Sequence, residues 1–154
     1  MLRVMLIERN RVIREMLREN LQKYFPSIII TDAVNGKGAL SSIQEVSPHL
    51  IFISLQLPEM SGLELIQKIK KDFPNIQIAI LTSYDMPEYR QAVLQAGADR
   101  FFVKEAFAWE EAKSFIQSIL FRKRVWQKIH RGLEAAEPFL NGGGDCPAGK
   151  LRKN

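Results

Sequence analysis

The sequence predicts one doubly wound α/β domain, with five parallel strands in a single sheet, helices on both faces and an extended last helix. Three observations carry this. Short, continuous, β-branched apolar runs occur five times, at spacings of roughly 20 to 25 residues. Amphipathic segments lie between them, so each run is followed by a crossover helix, and right-handed crossovers give a parallel sheet covered on both faces. The length of 154 residues fits one domain with little room for a second.

The elements follow in order. Val4-Met5-Leu6-Ile7 reads as a strand buried on both faces. Asn10 can cap the next helix, in which Val12, Ile13, Met16, Leu17, Leu21 and Tyr24 form one apolar face before Pro26. Ile28-Ile29-Ile30 is a second strand. Asn35-Gly36 starts a helix with Leu40, Ile43 and Val46 inward, and Pro48 follows its end. His49 to Ser54 is the third strand, and Leu57 to Gly62 a loop. Leu63, Leu65, Ile66 and Ile69 mark a helix that stops before Pro74. Ile76 to Leu81 is the fourth strand. Pro87 suits the first turn of a helix through Val93 and Leu94, with Gly97 at its left-handed C-cap. Phe101-Phe102-Val103 is the fifth strand. The last helix begins near Phe107, with Ala112, Phe115, Ile116, Ile119 and Leu120 inward.

Composition narrows the function. Hydrophobic residues make up 46% and charged residues 25%, ordinary values that argue against disorder. Cys146 is the only cysteine, which excludes an internal disulfide and a multi-cysteine metal site. The two histidines, His49 and His130, are far apart, so a zinc enzyme is not expected. No apolar run approaches the ~20 residues that span a bilayer. The apolar start meets a charge at Glu8 and does not read as a signal peptide, so a cytoplasmic protein without a membrane role is expected. Residues 1–121 carry 14 Lys+Arg and 14 Asp+Glu, whereas residues 122–154 carry 8 and 3. The whole excess of +5 therefore sits in the tail.

In such folds, polar chemistry gathers at the carboxyl ends of the strands. This rule selects Glu8 and Arg9, Ser54, Thr82 and Ser83, and Lys104 and Glu105. That set, in that order, resembles the receiver domain of two-component response regulators, a CheY-like, flavodoxin-like fold, over about residues 2–121. The segment Ser54-Leu55-Gln56-Leu57-Pro58-Glu59-Met60-Ser61-Gly62-Leu63-Glu64-Leu65 is similar to the family run in which a phosphoacceptor aspartate precedes x-x-Met/Leu-Pro-x-Met-x-Gly-x-Glu. Leu81-Thr82-Ser83 fits the family's Thr/Ser site, and Ala96-Gly97-Ala98-Asp99-Arg100-Phe101-Phe102-Val103-Lys104 its run ending in lysine. Lys104-Glu105-Ala106, where many members have Lys-Pro, resembles the receivers of LuxR/NarL-type regulators.

The resemblance implies two acids that hold Mg²⁺, an aspartate that accepts phosphoryl, and a Thr/Ser and a Lys that contact it. Glu8, Thr82 and Lys104 match. Arg9 stands at the second acid and Ser54 at the phosphoacceptor. An acyl phosphate needs a carboxylate nucleophile, and a serine hydroxyl needs a general base that no histidine is placed to supply. Mg²⁺ needs hard oxygen ligands. Relative to the family triad the local formal charge rises by about +3, and at an effective dielectric near 20 a unit charge ~4 Å away is worth ~4 kcal/mol. No cofactor is expected, with Mg²⁺ binding weak or lost. Lys104 is expected to keep a structural contact to Ser54 or Glu8, and Arg9 can pair with Glu8 and fill the pocket, or form a surface salt bridge. Phe101 occupies the place of the family's mobile switch aromatic and is expected to be fixed.

Residues 1–121 are thus expected to form a receiver-like domain, and 122–154 a basic helical extension and flexible tail, too short for a helix-turn-helix output domain. Phe121, Val125, Trp126, Ile129 and Leu133 share one broad apolar stripe beside a basic face and are the candidate partner-binding residues. Gly132 can end this helix; Pro138 and Asn141-Gly142-Gly143-Gly144 read as a flexible terminus. The resemblance implies a bacterial, non-enzymatic, phosphorylation-independent pseudo-receiver that binds a protein of a phosphorelay pathway, such as a histidine kinase or another regulator. A homodimer through the extension stays open. Phosphorylation at a non-standard residue by a histidine kinase is one alternative. Another is association with DNA through the basic helix, although nucleic acid is not the expected partner.

Overall fold

In the computed structural model, residues 1–105 and 109–140 are described, with side chains through residue 134. The elements are β1 (Arg3–Ile7), α1 (Arg11–Tyr24), β2 (Ile29–Ala33), α2 (Gly36–Val46), β3 (Leu50–Ser54), α3 (Gly62–Asp72), β4 (Gln77–Thr82), α4 (Pro87–Gln95), β5 (Arg100–Val103) and α5 (Trp109–Leu140). The strands form one parallel sheet in the order β2-β1-β3-β4-β5, as the βα rhythm predicts.

Both sheet faces are covered, which is why the central strands are apolar without alternation. On one face Met5, Ile7, Ile51, Ile53, Ile78 and Ile80 join Ala39, Ile43, Leu65, Ile66, Ile69 and Val93 from α2, α3 and α4 in one core. The residues of opposite parity, Val4, Leu6, Leu50, Phe52, Ala79 and Leu81, are equally buried. The crossover from β1 to β2 runs against the direction of the others, so handedness places α1 on that second face. The caps expected from sequence form. Asn10 Oδ1 accepts from the amides of Val12 and Ile13, and Gly97 takes φ +113° after α4.

Several expectations need correction. The apolar face of α1 is narrower than predicted: Leu17 and Leu21 are buried, but Val12, Met16 and Tyr24 are exposed. Two stripes fit the same spacing, and only Ile13-Leu17-Leu21 faces inward. Strand β2 begins at Ile29 rather than Ile28 and is an edge strand, with Ile29 exposed. The predicted helix start at Phe107 lies outside the described residues.

The chain divides into two units, residues 1–109 and from Glu110 onward. In the second, α5 buries Ala112, Phe115, Ile116 and Ile119, and exposes Phe121, Val125, Trp126, Ile129 and Leu133. It does not stop at Gly132 but runs through that residue and Pro138 to Leu140. One glycine costs about 1 kcal/mol, which neighbours of high helix propensity offset. A Cβ at Gly132 would meet nothing within 4 Å. Gly132→Ala is therefore expected to stabilise the helix by up to about 1 kcal/mol, read as added helical circular dichroism on heating. Residues 141–154, including the predicted glycine-rich terminus, lie outside the described residues.

Candidate functional site

Strand register puts the site at the carboxyl edge of the sheet. Glu8 follows β1, Ser54 ends β3, Thr82 ends β4 and Lys104 follows β5. The ladder carries on past the strands: the Glu8 amide donates to the Ala33 carbonyl at 3.1 Å, and the Lys104 amide to the Thr82 carbonyl at 2.8 Å. These bonds fix where both side chains leave the backbone. Among the described residues Glu8, Ser54 and Thr82 are the buried polar or charged ones, at 2%, 1% and 2% exposure. All three lie at the carboxyl ends of their strands.

Lys104 closes the cluster. Its Nζ lies 2.7 Å from Glu8 Oε2 and donates to Ser54 Oγ at 3.2 Å. Glu8 Oε1 accepts from the Asn10 amide at 3.0 Å. The Lys104–Glu8 contact is an ion pair and not an aligned hydrogen bond, since Oε2 accepts none among the described residues. The Glu8 side chain is 3% exposed and that of Lys104 17%, so the pair is largely out of water. Such a pair holds only while both partners are present. Thr82 Oγ1 accepts from the Tyr84 amide at 3.1 Å, a local turn bond. A pocket of about 230 Å³ opens beside Lys104, and Ile13, Met16 and Leu17 line its apolar wall.

Arg9 departs from both readings made of it. Its side chain is exposed and makes no ion pair among the described residues. Glu8 turns inward at the strand end, so the next residue turns out. The cation on Glu8 is Lys104. Phe101 is half-buried, with the Arg90 guanidinium 4.9 Å from its ring centre. Phe121, Val125, Trp126, Ile129 and Leu133 belong to the second unit, where all are exposed.

Two supports were not legible as such. Arg14 Nη1 donates to the carbonyls of Glu8 and Arg9 at 2.7 and 3.0 Å, tying α1 to the loop that carries them. No sequence spacing signals this. At Gly62 a Cβ would stand 2.8 Å from both the Ser54 carbonyl oxygen and Leu55 Cα. The glycine lets α3 start against the end of β3, and its place in the loop motif was the available signal.

With this geometry in hand, the sequence pattern of the response regulator receiver domain matches residues 4–114. The chain belongs to that family. Among curated relatives, the uncharacterized transcriptional regulatory protein YhcZ of Bacillus subtilis is 31% identical over 113 residues, 73% of this chain and 53% of the relative. The response regulator protein VraR of Staphylococcus saprophyticus is 31% identical over 130 residues, 78% of this chain and 61% of the relative. The chain thus spans little more than half the length of these relatives. The receiver domain of a DNA-binding response regulator from Colwellia psychrerythraea superposes with TM-score 0.74 at 21% identity, covering 78% of this chain and 98% of that one. A LuxR-family DNA-binding response regulator from Staphylococcus aureus gives 0.69 at 24%, covering 77% and 98%. These likenesses establish the fold. No helix among the described residues is long and apolar enough to cross a membrane.

The residues at this receiver's edge do not fit the Mg²⁺ that the family implies. No group of three or more His, Cys, Asp or Glu side chains among the described residues could hold a metal. The one buried carboxylate among the described residues, Glu8, already faces an ammonium on one oxygen and an amide on the other. A hard dication requires several oxygens, commonly including one or two carboxylates.

Proposed function

We propose that this receiver works without phosphoryl transfer, as a non-enzymatic protein-interaction module of two-component signalling. One observation carries the reading: Ser54, at the position of the phosphoacceptor aspartate by resemblance, is buried, and its hydroxyl is held by a lysine already paired to Glu8. A serine hydroxyl attacks phosphorus only with a base to take its proton. His49 is no such base: it sits at the opposite end of β3, and its Nδ1 accepts from the Arg3 amide at 3.0 Å. The partners proposed for it are signalling proteins, a histidine kinase or another regulator, and the compartment proposed is the cytoplasm.

Acetyl phosphate with Mg²⁺, followed by intact-protein mass spectrometry, tests this. The expected result is an unchanged mass. A phosphoryl adduct on Ser54 or on any carboxylate overturns the reading.

A further inference from the structure

The apolar side of α5 changes environment without changing register. Ile119 is buried at 6% exposure, and Trp126 and Leu133 follow it at seven-residue steps, yet they are 60% and 53% exposed. Ile129, between them, is 56% exposed. In a heptad frame Ile119, Trp126 and Leu133 take the first position and Ile129 the fourth, the two that form the seam of a coiled coil. One stripe is buried at Ile119 and exposed from Trp126 onward.

Charge placement says what covers it. The segment from Phe121 to Glu134 holds five Lys+Arg and one acid. Arg124 and Arg131 fall at the sixth position and Lys128 at the third, all on the side away from the seam. The positions that flank the seam are Lys123, Val125, His130 and Gly132, with a single fixed charge among them. Arg122, the exception within the seam, turns back along the helix and donates to the Ser118 carbonyl at 3.4 Å. An acidic groove would reward cations at the flanks. Here three of the five cations point outward and Arg122 bonds back along its own helix, so two identical helices can approach with Lys123 as the one cation that flanks each seam.

Area agrees. Val125, Trp126, Ile129 and Leu133 leave on the order of a few hundred Å² of apolar surface open per chain. Pairing two such faces, with the flanking surface they bring, approaches the ~1,000 Å² that a specific interface needs.

We infer that the Val125–Leu133 face of α5 is a self-association seam, and that its partner is the same face of a second copy of this chain. This deepens the interaction reading above by naming the partner. It needs neither Mg²⁺ nor a phosphoryl donor.

Sedimentation equilibrium of the full chain, from micromolar to several hundred micromolar, tests the seam. The expected result is a concentration-dependent dimer. Trp126→Asp combined with Ile129→Asp should weaken it at least tenfold, while Lys128→Ala leaves it unchanged. Both seam residues are exposed, so the variant should keep its melting transition. In a Cys146→Ser background, Leu133→Cys should oxidise to a linked dimer and Lys128→Cys should not, which tests the seam even if the double variant misfolds. A monomer at every concentration, or a dimer indifferent to the seam substitutions, overturns the inference. So does a monomer that adsorbs to phosphatidylglycerol vesicles through this face. A monomer leaves the phosphorylation-independent reading standing, and a phosphoryl adduct leaves the seam standing, so the two failures are distinguishable.

Discussion

Lys104→Ala is expected to destabilise the receiver by about 3 kcal/mol, the low end for removing one partner of a buried pair, and to lower the melting temperature by roughly 10 °C. The cause lies in what is left behind. Glu8 would keep a carboxylate at 3% side-chain exposure with one amide bond and no cation, and Ser54 Oγ would lose its donor. The reverse deletion should be milder. Glu8→Gln keeps an acceptor for the Asn10 amide, and Lys104, with 17% of its side chain already in water, can turn outward. A loss of about 1 kcal/mol is expected there. Thermal melts of the two single variants and of Glu8→Gln with Lys104→Met check the asymmetry. The double variant should recover most of what Lys104→Ala loses. A neutral Lys104→Ala would mean that Glu8 is not held by this pair.

Gly62→Ala is expected to cost about 2 kcal/mol, through overpacking that no rotamer can relieve. The added methyl would lie 2.8 Å from the Ser54 carbonyl oxygen and from Leu55 Cα, both backbone atoms. The start of α3 would have to lift away, drawing Leu65 and Ile66 out of the core and straining the Ser61 cap on Glu64. Gly36→Ala is the control. Its methyl would meet Met60 Sδ at 3.0 Å, the end of a flexible side chain that can move, so a much smaller loss is expected. Urea unfolding midpoints separate the two. Equal losses would contradict the close approach at β3.

The fold was legible because the central strands β1, β3 and β4, buried on both faces, leave continuous apolar runs, a signal that neighbouring helices do not blur. Strand β2 was less so: at the sheet edge, with Ile29 exposed, nothing in the run Ile28 to Ile30 marks which residue begins the pairing. The face of α1 was misread because Val12-Met16 and Ile13-Leu17-Leu21 have the same spacing, and only packing separates them. At the site, the rule of strand ends selected Glu8, Ser54 and Lys104, which the structure brings into contact, and Thr82, whose carbonyl accepts from the Lys104 amide. The contact of Lys104 with Ser54 and Glu8 was legible from its place after β5. The alternative pairing of Glu8 with Arg9 was misread, since the strand's alternation turns Arg9 to solvent. The end of α5 was hidden for a related reason, since Gly132 is a stop signal only where nothing else sustains the helix.

In the proposed reading, Lys104 occupies the edge at which an ion and a phosphoryl group would otherwise sit. A Mg²⁺ titration with beryllofluoride, followed by the backbone amide shifts of Glu8, Ser54, Thr82 and Lys104, tests it most directly. No saturable change is expected at these four residues up to millimolar Mg²⁺. Saturable shifts centred on Ser54 and Thr82 would show that the edge still admits an ion and a phosphoryl mimic, and would contradict it.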